Sequence, residues 1–399
     1  MKSWIKVFGL IVGCSLLLGC QSLQSKRATD ETLEPAVSNP VLALLPQDFE
    51  IRQTLQHTIQ LPTQIVSLSE AQQNAFKQYF YSPEQADVPE HRRLYRYIDS
   101  LYWGFTYLGK TYDAETALQL QSGNCMSLAI LTSALARLVD VEVKYQRVSA
   151  EPVYHRHNDI MTLSTHVRSH LIEKIEQGEE TFMGIRGRII VDYYPQRGNV
   201  RGGMLDESAF YSMYYRNLAA DAMLVGNHEY AYALMHQALT IAGNDVENVN
   251  TMAVVLNKVG HSSHALALYE FGLDLEQDSL NLLSNYSDLL EQNGNSDLAE
   301  EIRARMGDAY ADNPYHLIDL AEEYIRDGRY AMSKRLITRA IERAPYLHEA
   351  YFALARTYYL SQQTEKADQA LKTAAELAYL PETEKLYESK RFVLSHEVH

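Results

Sequence analysis

Along most of the chain the apolar positions fall into short, regular patterns. Leu94, Ile98, Leu101, Tyr102 and Phe105 recur at intervals of three and four, which predicts an amphipathic helix over residues 91–108. Residues 69–81 carry a similar stripe, and a short helix is expected over Ala114–Leu120. Ser122-Gly123-Asn124 is turn chemistry, and Cys125–Val139 behind it is apolar on every side, the pattern of a buried helix. Val141–Val148 then alternates with the period of a half-buried strand, and Met161–Ile172 and Arg188–Tyr194 are further strand candidates.

From Ser212 the chain repeats itself. Gly226, Gly260, Gly294 and Gly328 are each 34 residues apart, and Gln362 takes the fifth place. Small residues follow at a fixed offset (Ala231, Ala265, Ala299, Ser333, Ala367) and precede at another (Ala219, Ala253, Ser287, Ala321, Ala355). A helical hairpin explains this period: the glycine relaxes the turn, and the small residues let two helices approach. Tyr324, Tyr330, Tyr358 and Leu371 would fill the space between neighbours. The pattern resembles the tetratricopeptide repeat, although Gly272 and Met306 replace an expected alanine and Pro345 is the one inter-repeat proline in place. The resemblance implies an all-α solenoid over residues 212–380, with 381–399 as a cap or tail, and a surface that binds protein or peptide.

The amino terminus is different in kind. Lys2 and Lys6 precede an apolar run from Val7 to Leu18, too short to span a bilayer as a stable helix. It ends in Leu17-Leu18-Gly19-Cys20, which resembles the lipobox of bacterial lipoproteins. The resemblance implies cleavage of a signal peptide (residues 1–19), acylation of Cys20, and a permanent lipid anchor. Gln21, in place of Asp, favours the periplasmic face of the outer membrane. Residues 20–46, rich in Ser, Thr, Gln and Pro, read as a flexible tether.

A hydrophobic content of 46% is ample for real cores, and no second apolar run is long enough to span a membrane. Loss of the two leader lysines takes the formal charge from −15 to −17, which argues against nucleic acid and anionic lipid surfaces as partners. Cys14 leaves with the leader and Cys20 is capped, so Cys125 is the sole free thiol of the mature chain. An unpaired thiol is unusual in an oxidising compartment and asks for an explanation.

Three motifs supply one: Gly123-Asn124-Cys125 before the buried helix, Thr165-His166-Val167 in the middle strand, and Val191-Asp192-Tyr193-Tyr194-Pro195 in the next. Over residues 90–200 their order resembles the transglutaminase-like superfamily, whose core is a papain-like cysteine fold. The resemblance implies an α+β papain/transglutaminase-like domain over residues 47–211 with N-terminal helices. Its catalytic residues would be Cys125, His166 and Asp192, and it would need no cofactor or metal.

At the first turn of a helix a thiol meets unpaired N–H groups that favour the thiolate. His166 would hold the proton and deliver it to a leaving group, and Asp192 would fix the imidazole tautomer. The backbone N–H of Cys125, with a second donor among Gln121, Tyr112 and Asn124, would stabilise an oxyanion.

Rival readings remain. A cysteine opening an apolar helix is often a plain core residue. His155, His157 and His170 compete with His166, which is preferred for its histidine–valine context. His155, His157, Asp159, His166 and His170 also suit zinc, although Arg156 in the same loop would repel a cation. The leading expectation is a lipid-anchored cysteine acyl transferase or hydrolase acting on amide bonds. The alternative is a non-catalytic outer-membrane scaffold or assembly factor in which the repeats carry the function; a thiol-sensing role for Cys125 is a third.

Overall fold

A computed structural model describes residues 39–47, 49, 58–107, 109–157, 160–174, 186–193, 200–307, 311–378 and 381–397. The leader, Cys20 and most of the expected tether lie outside them. The last part of the expected tether, from Asn39 onward, is instead built into the fold. Pro40–Leu44 forms a helical turn whose Val41 is fully buried, and the Asn39 amide donates to the Leu239 carbonyl at 2.6 Å. The cause is local composition, since Val41, Leu42, Leu44 and Leu45 are too apolar to stay in water.

A turn, Pro62–Ile65, leads to helices α1 (Glu70–Phe80), α2 (Glu90–Tyr102), α3 (Ala114–Leu120) and α4 (Cys125–Leu138). Helix α4 is buried along nearly its whole length, as its apolar run predicts, and is capped by Asn124, whose Oδ1 accepts from the Ser127 N–H at 3.0 Å. Two-residue strands β1 (Thr106–Tyr107) and β2 (Ser122–Gly123) pair in parallel just before it.

Strands β3 (Val143–His157), β4 (Ile160–Ile172), β5 (Arg188–Asp192) and β6 (Val200–Leu205) form an antiparallel sheet in the order β5-β4-β3-β6. Helix α4 packs on β4, and α2 reaches β4 and β5. Strand β6 escapes the sequence pattern because Gly202-Gly203 interrupts it. A Cβ at Gly202 would lie 2.8 Å from the Arg147 carbonyl, so the glycine lets β6 close on β3 at a register shift.

The C-terminal half is a helical-repeat solenoid of tetratricopeptide type. Its hairpins are α5 (Glu207–Leu224) with α6 (His228–Ile241), α7 (Val246–Lys258) with α8 (Ser262–Leu275), and α9 (Leu280–Gln292) with α10 (Ser296–Met306). They continue with α11 (Pro314–Arg326) and α12 (Tyr330–Arg343), α13 (His348–Leu360) and α14 (Thr364–Leu377), and the terminal helix α15 (Pro381–Glu397). All ten small residues of the repeat pattern are buried. Gly226, Gly260, Gly294 and Gly328 adopt φ between +72° and +87°, and Gln362 accepts the same left-handed backbone at +62°. Gly272 departs from alanine for a reason: a Cβ there would collide with the buried Leu282 side chain. First helices of successive hairpins touch directly, α5 with α7, α7 with α9 and α11 with α13, and so form an inner layer.

No linker separates sheet and repeats. Helix α5 begins five residues before the expected boundary at 212, and one hydrophobic core runs from Val41 through the sheet and three hairpins to Met306. Further cores follow at Tyr315–Ala353 and Ala355–Leu394. No described helix is long and apolar enough to cross a membrane.

Candidate functional site

Cys125 opens α4 and is nearly buried, and its Sγ lies 3.6 Å from Nδ1 of His166 on β4. Of the candidate histidines with described side chains, His166 is the one beside the sulfur. His170 instead pairs through Nε2 with Gln146 Oε1 at 3.1 Å. The side chains of His155, His157 and Asp159 lie outside the described residues, and no group of three potential metal ligands occurs among those described.

Asp192 faces Arg168 across the β4–β5 ladder. Arg168 Nε and Nη2 both converge on Asp192 Oδ2, at 2.7 and 2.6 Å. The same carboxylate raises the affinity of His166 for its proton, so Asp192 acts on the imidazole as well. Arg168 carries no sequence signal; only the strand register brings it opposite Asp192.

Burial decides the resting charge. It pushes the Cys125 thiol up, outweighing hydrogen bonds from the Tyr107 hydroxyl and the backbone of Met126 and Val167. Burial also pushes His166 down, against the pull of Asp192. The helix start was expected to stabilise a thiolate; in this enclosed setting burial disfavours the charged forms of both the thiol and the imidazole.

The backbone N–H of Cys125, expected to face an oxyanion, donates to Tyr107 Oη at 3.2 Å. Tyr107 gets there through the β1–β2 pairing, which sets it opposite Gly123. Of the other expected donors, the Tyr112 N–H is spent on Ser127 Oγ at 2.8 Å, and the Asn124 amide on Thr111 Oγ1 at 2.7 Å. Gln121 ends α3 in a left-handed turn. Tyr102, whose hydroxyl is buried without a hydrogen-bond partner, interacts electrostatically with both Cys125 and Asp192.

A second polar cluster joins the sheet to the repeats. Asp245 caps α7 and accepts from Arg147 of β3 at 2.6 Å and from Arg216 of α5 at 3.4 Å. Asn281 Nδ2 bridges to both oxygens of Glu247, and Asn285 bonds Asn250 at 3.0 Å, so polar side chains tie α7 to α9.

No protein-family model matches the chain, and no curated protein does. Solved structures similar to it include TTC0263, a thermophilic TPR protein of Thermus thermophilus, at 15% identity over 46% of this chain and 99% of that one, with a TM-score of 0.37. PilW, a type IV pilus biogenesis factor, shows 15% identity over 47% and 93% with a TM-score of 0.33. MamA of Desulfovibrio magneticus RS-1 shows 16% over 43% and 96% with a TM-score of 0.29.

Proposed function

We propose that this chain is a protein-binding scaffold whose helical repeats recruit a protein or peptide partner. The observation that carries this reading is the run of five helical hairpins on one 34-residue period, ending in the helix α15. Such arrays present an extended surface that recognises polypeptide. Acylation of Cys20 would hold the array at the periplasmic face of the outer membrane. The test is photo-crosslinking in the native cell, with a benzophenone amino acid at inner-layer position Tyr351 and, as control, at Arg335 on the second helix of the preceding hairpin. Discrete adducts from Tyr351 alone are expected; adducts from neither position, or equally from both, refute the reading.

A second reading is favoured by the Cys125–His166 contact: a transglutaminase-like centre on a papain-like fold, acting on amide bonds. His166 would take the thiol proton as sulfur attacks the carbonyl and return it to the departing amine as the C–N bond breaks, with Asp192 holding the imidazole. The resulting thioester would pass to water or an amine. Incubation with p-nitrophenyl acetate tests it. Acylation of Cys125, followed by intact mass, is expected to slow by at least ~100-fold in His166→Ala, the scale of a lost general base. Equal rates in both proteins would rule out the pair as catalytic.

A further inference from the structure

An acyl-transfer centre needs hydrogen-bond donors aimed at the carbonyl oxygen as charge builds on it, and each donor must have its hydrogen uncommitted. Around Cys125 most candidates are spent. The Cys125 N–H goes to Tyr107 Oη at 3.2 Å and the Tyr112 N–H to Ser127 Oγ at 2.8 Å. The Asn124 amide is divided between Thr111 Oγ1 and the Gly109 carbonyl. Tyr193 donates to Ser169 Oγ at 2.7 Å, and Gln121 is an exposed residue.

Tyr102 is the exception. It ends α2, and this helix contacts α4, β4 and β5, the three elements that carry Cys125, His166 and Asp192. Its hydroxyl is buried and has no hydrogen-bond partner. Leaving such a group unsatisfied costs folding free energy, and natural proteins rarely do so without a use for it. The same hydroxyl interacts electrostatically with Tyr193, Asp192, Tyr107 and Cys125, so it shares the enclosed setting of the sulfur. Burial first, and then these neighbours, raise its hold on the proton, which keeps it a donor throughout the neutral range.

We infer that Tyr102 is a catalytic residue of this centre, its Oη–H donating to the substrate carbonyl oxygen when Cys125 attacks. This rests on the cysteine-centre reading and adds to it the group that meets the developing charge. As the Sγ–C bond forms, the carbonyl π pair moves onto oxygen and the thiol proton passes to His166, whose Nδ1 lies 3.6 Å from Sγ. The oxyanion accepts from Tyr102 without taking its proton, and the Cys125 N–H becomes a second donor once Tyr107 releases it. When the pair returns to carbon the C–N bond breaks, His166 protonates the leaving amine, and a thioester remains on Cys125. The partner missing from the resting hydroxyl is then the oxyanion itself.

The test is Tyr102→Phe, which keeps the ring and removes only the hydroxyl. Two reagents are applied to the full chain, and modification of Cys125 is followed by peptide mass spectrometry. p-Nitrophenyl acetate acylates through a tetrahedral oxyanion and releases p-nitrophenolate; iodoacetamide alkylates by displacing iodide and forms no oxyanion. Acylation slower by at least ~100-fold, alkylation within ~2-fold of native, and a melting temperature equal to or above native are expected. Acylation at the native rate, an equal loss in both reactions, or a lowered melting temperature overturns the inference, the last because the hydroxyl would then be bonded in the resting fold. His166→Ala separates the two claims. Slow acylation there, with a native rate in Tyr102→Phe, removes Tyr102 and leaves the cysteine centre standing; a native rate in His166→Ala removes both.

Discussion

Asp245→Asn should be the most informative single change at the junction of sheet and repeats. Asparagine caps a helix as well as aspartate, so α7 keeps its cap and only the charge is lost. The loss falls on two guanidiniums. Arg216 retains Asn248 Oδ1 at 2.9 Å, whereas Arg147 loses its ion-pair partner and already has a buried Nε without a hydrogen bond. Removing one member of a buried ion pair costs about 3–5 kcal/mol. The Arg147 side chain is a quarter exposed, and Arg216 keeps a partner, which sets the expectation at the lower end, about 3 kcal/mol. The sign with pH follows from the same contacts. Burial pushes the Asp245 carboxyl up, but Arg216 and Arg147 outweigh it and hold it below its ordinary 3.8. A carboxylate with a depressed folded pKa contributes stability that is complete above the unfolded value and disappears as pH falls through the folded one. Urea unfolding at pH 7 and at steps below pH 4 measures both effects. The gap between native protein and variant should be about 3 kcal/mol at pH 7 and should close below pH 4. A gap under about 1 kcal/mol, or one unchanged at acid pH, would show that the arginines do not depend on this carboxylate.

Gln362→Gly should stabilise the last hairpin by about 0.5–1 kcal/mol, because a non-glycine residue there holds φ at +62°. Residues of the Ala355–Leu394 core should then exchange amide hydrogens about two- to five-fold more slowly, and unchanged exchange would argue that the turn is unstrained. Gly123→Ala should cost about 2–3 kcal/mol, since φ is +150° and the new Cβ would lie 2.6 Å from Ser127 Cβ and Oγ. Gly109→Ala, with nothing within 4 Å, is the control, and equal melting temperatures for the two variants would refute the steric reasoning. Iodoacetamide alkylation of Cys125 should have a pH midpoint above that of a free cysteine in solution, because burial raises the thiol. A midpoint below that value, abolished by His166→Ala, would instead establish a resting thiolate–imidazolium pair.

Elements that repeat or run apolar were legible in the sequence. The glycine and alanine spacing located every hairpin turn, and the apolar run after Asn124 became the central helix. Strand β6 was hidden by a glycine pair that only the close approach to Arg147 explains. Two partners at the cysteine were equally hidden. Tyr107 reaches it through a two-residue parallel bridge, and Arg168 reaches Asp192 through strand register. Neither relation leaves a local pattern, because each depends on which segments pair across many residues.

The burial of Cys125 bears on how the two halves could work together. A thiolate–imidazolium pair formed in advance would require two charges in a setting where burial disfavours both. Proton transfer to His166 is then most favourable in the same step as attack on a carbonyl, when negative charge moves onto an oxygen that hydrogen bonds can stabilise. The expected oxyanion donor, the Cys125 N–H, is held by Tyr107. Reaction would thus require both a substrate and a displaced tyrosine ring, and substrate would have to be gathered elsewhere on the molecule first. The repeats are suited to that gathering. Strand β4 connects the places, since it carries His166 and contacts the repeat helix α9. A partner bound to the repeats should therefore change the alkylation rate of Cys125, and a rate unchanged by the partner would show that the two halves act independently.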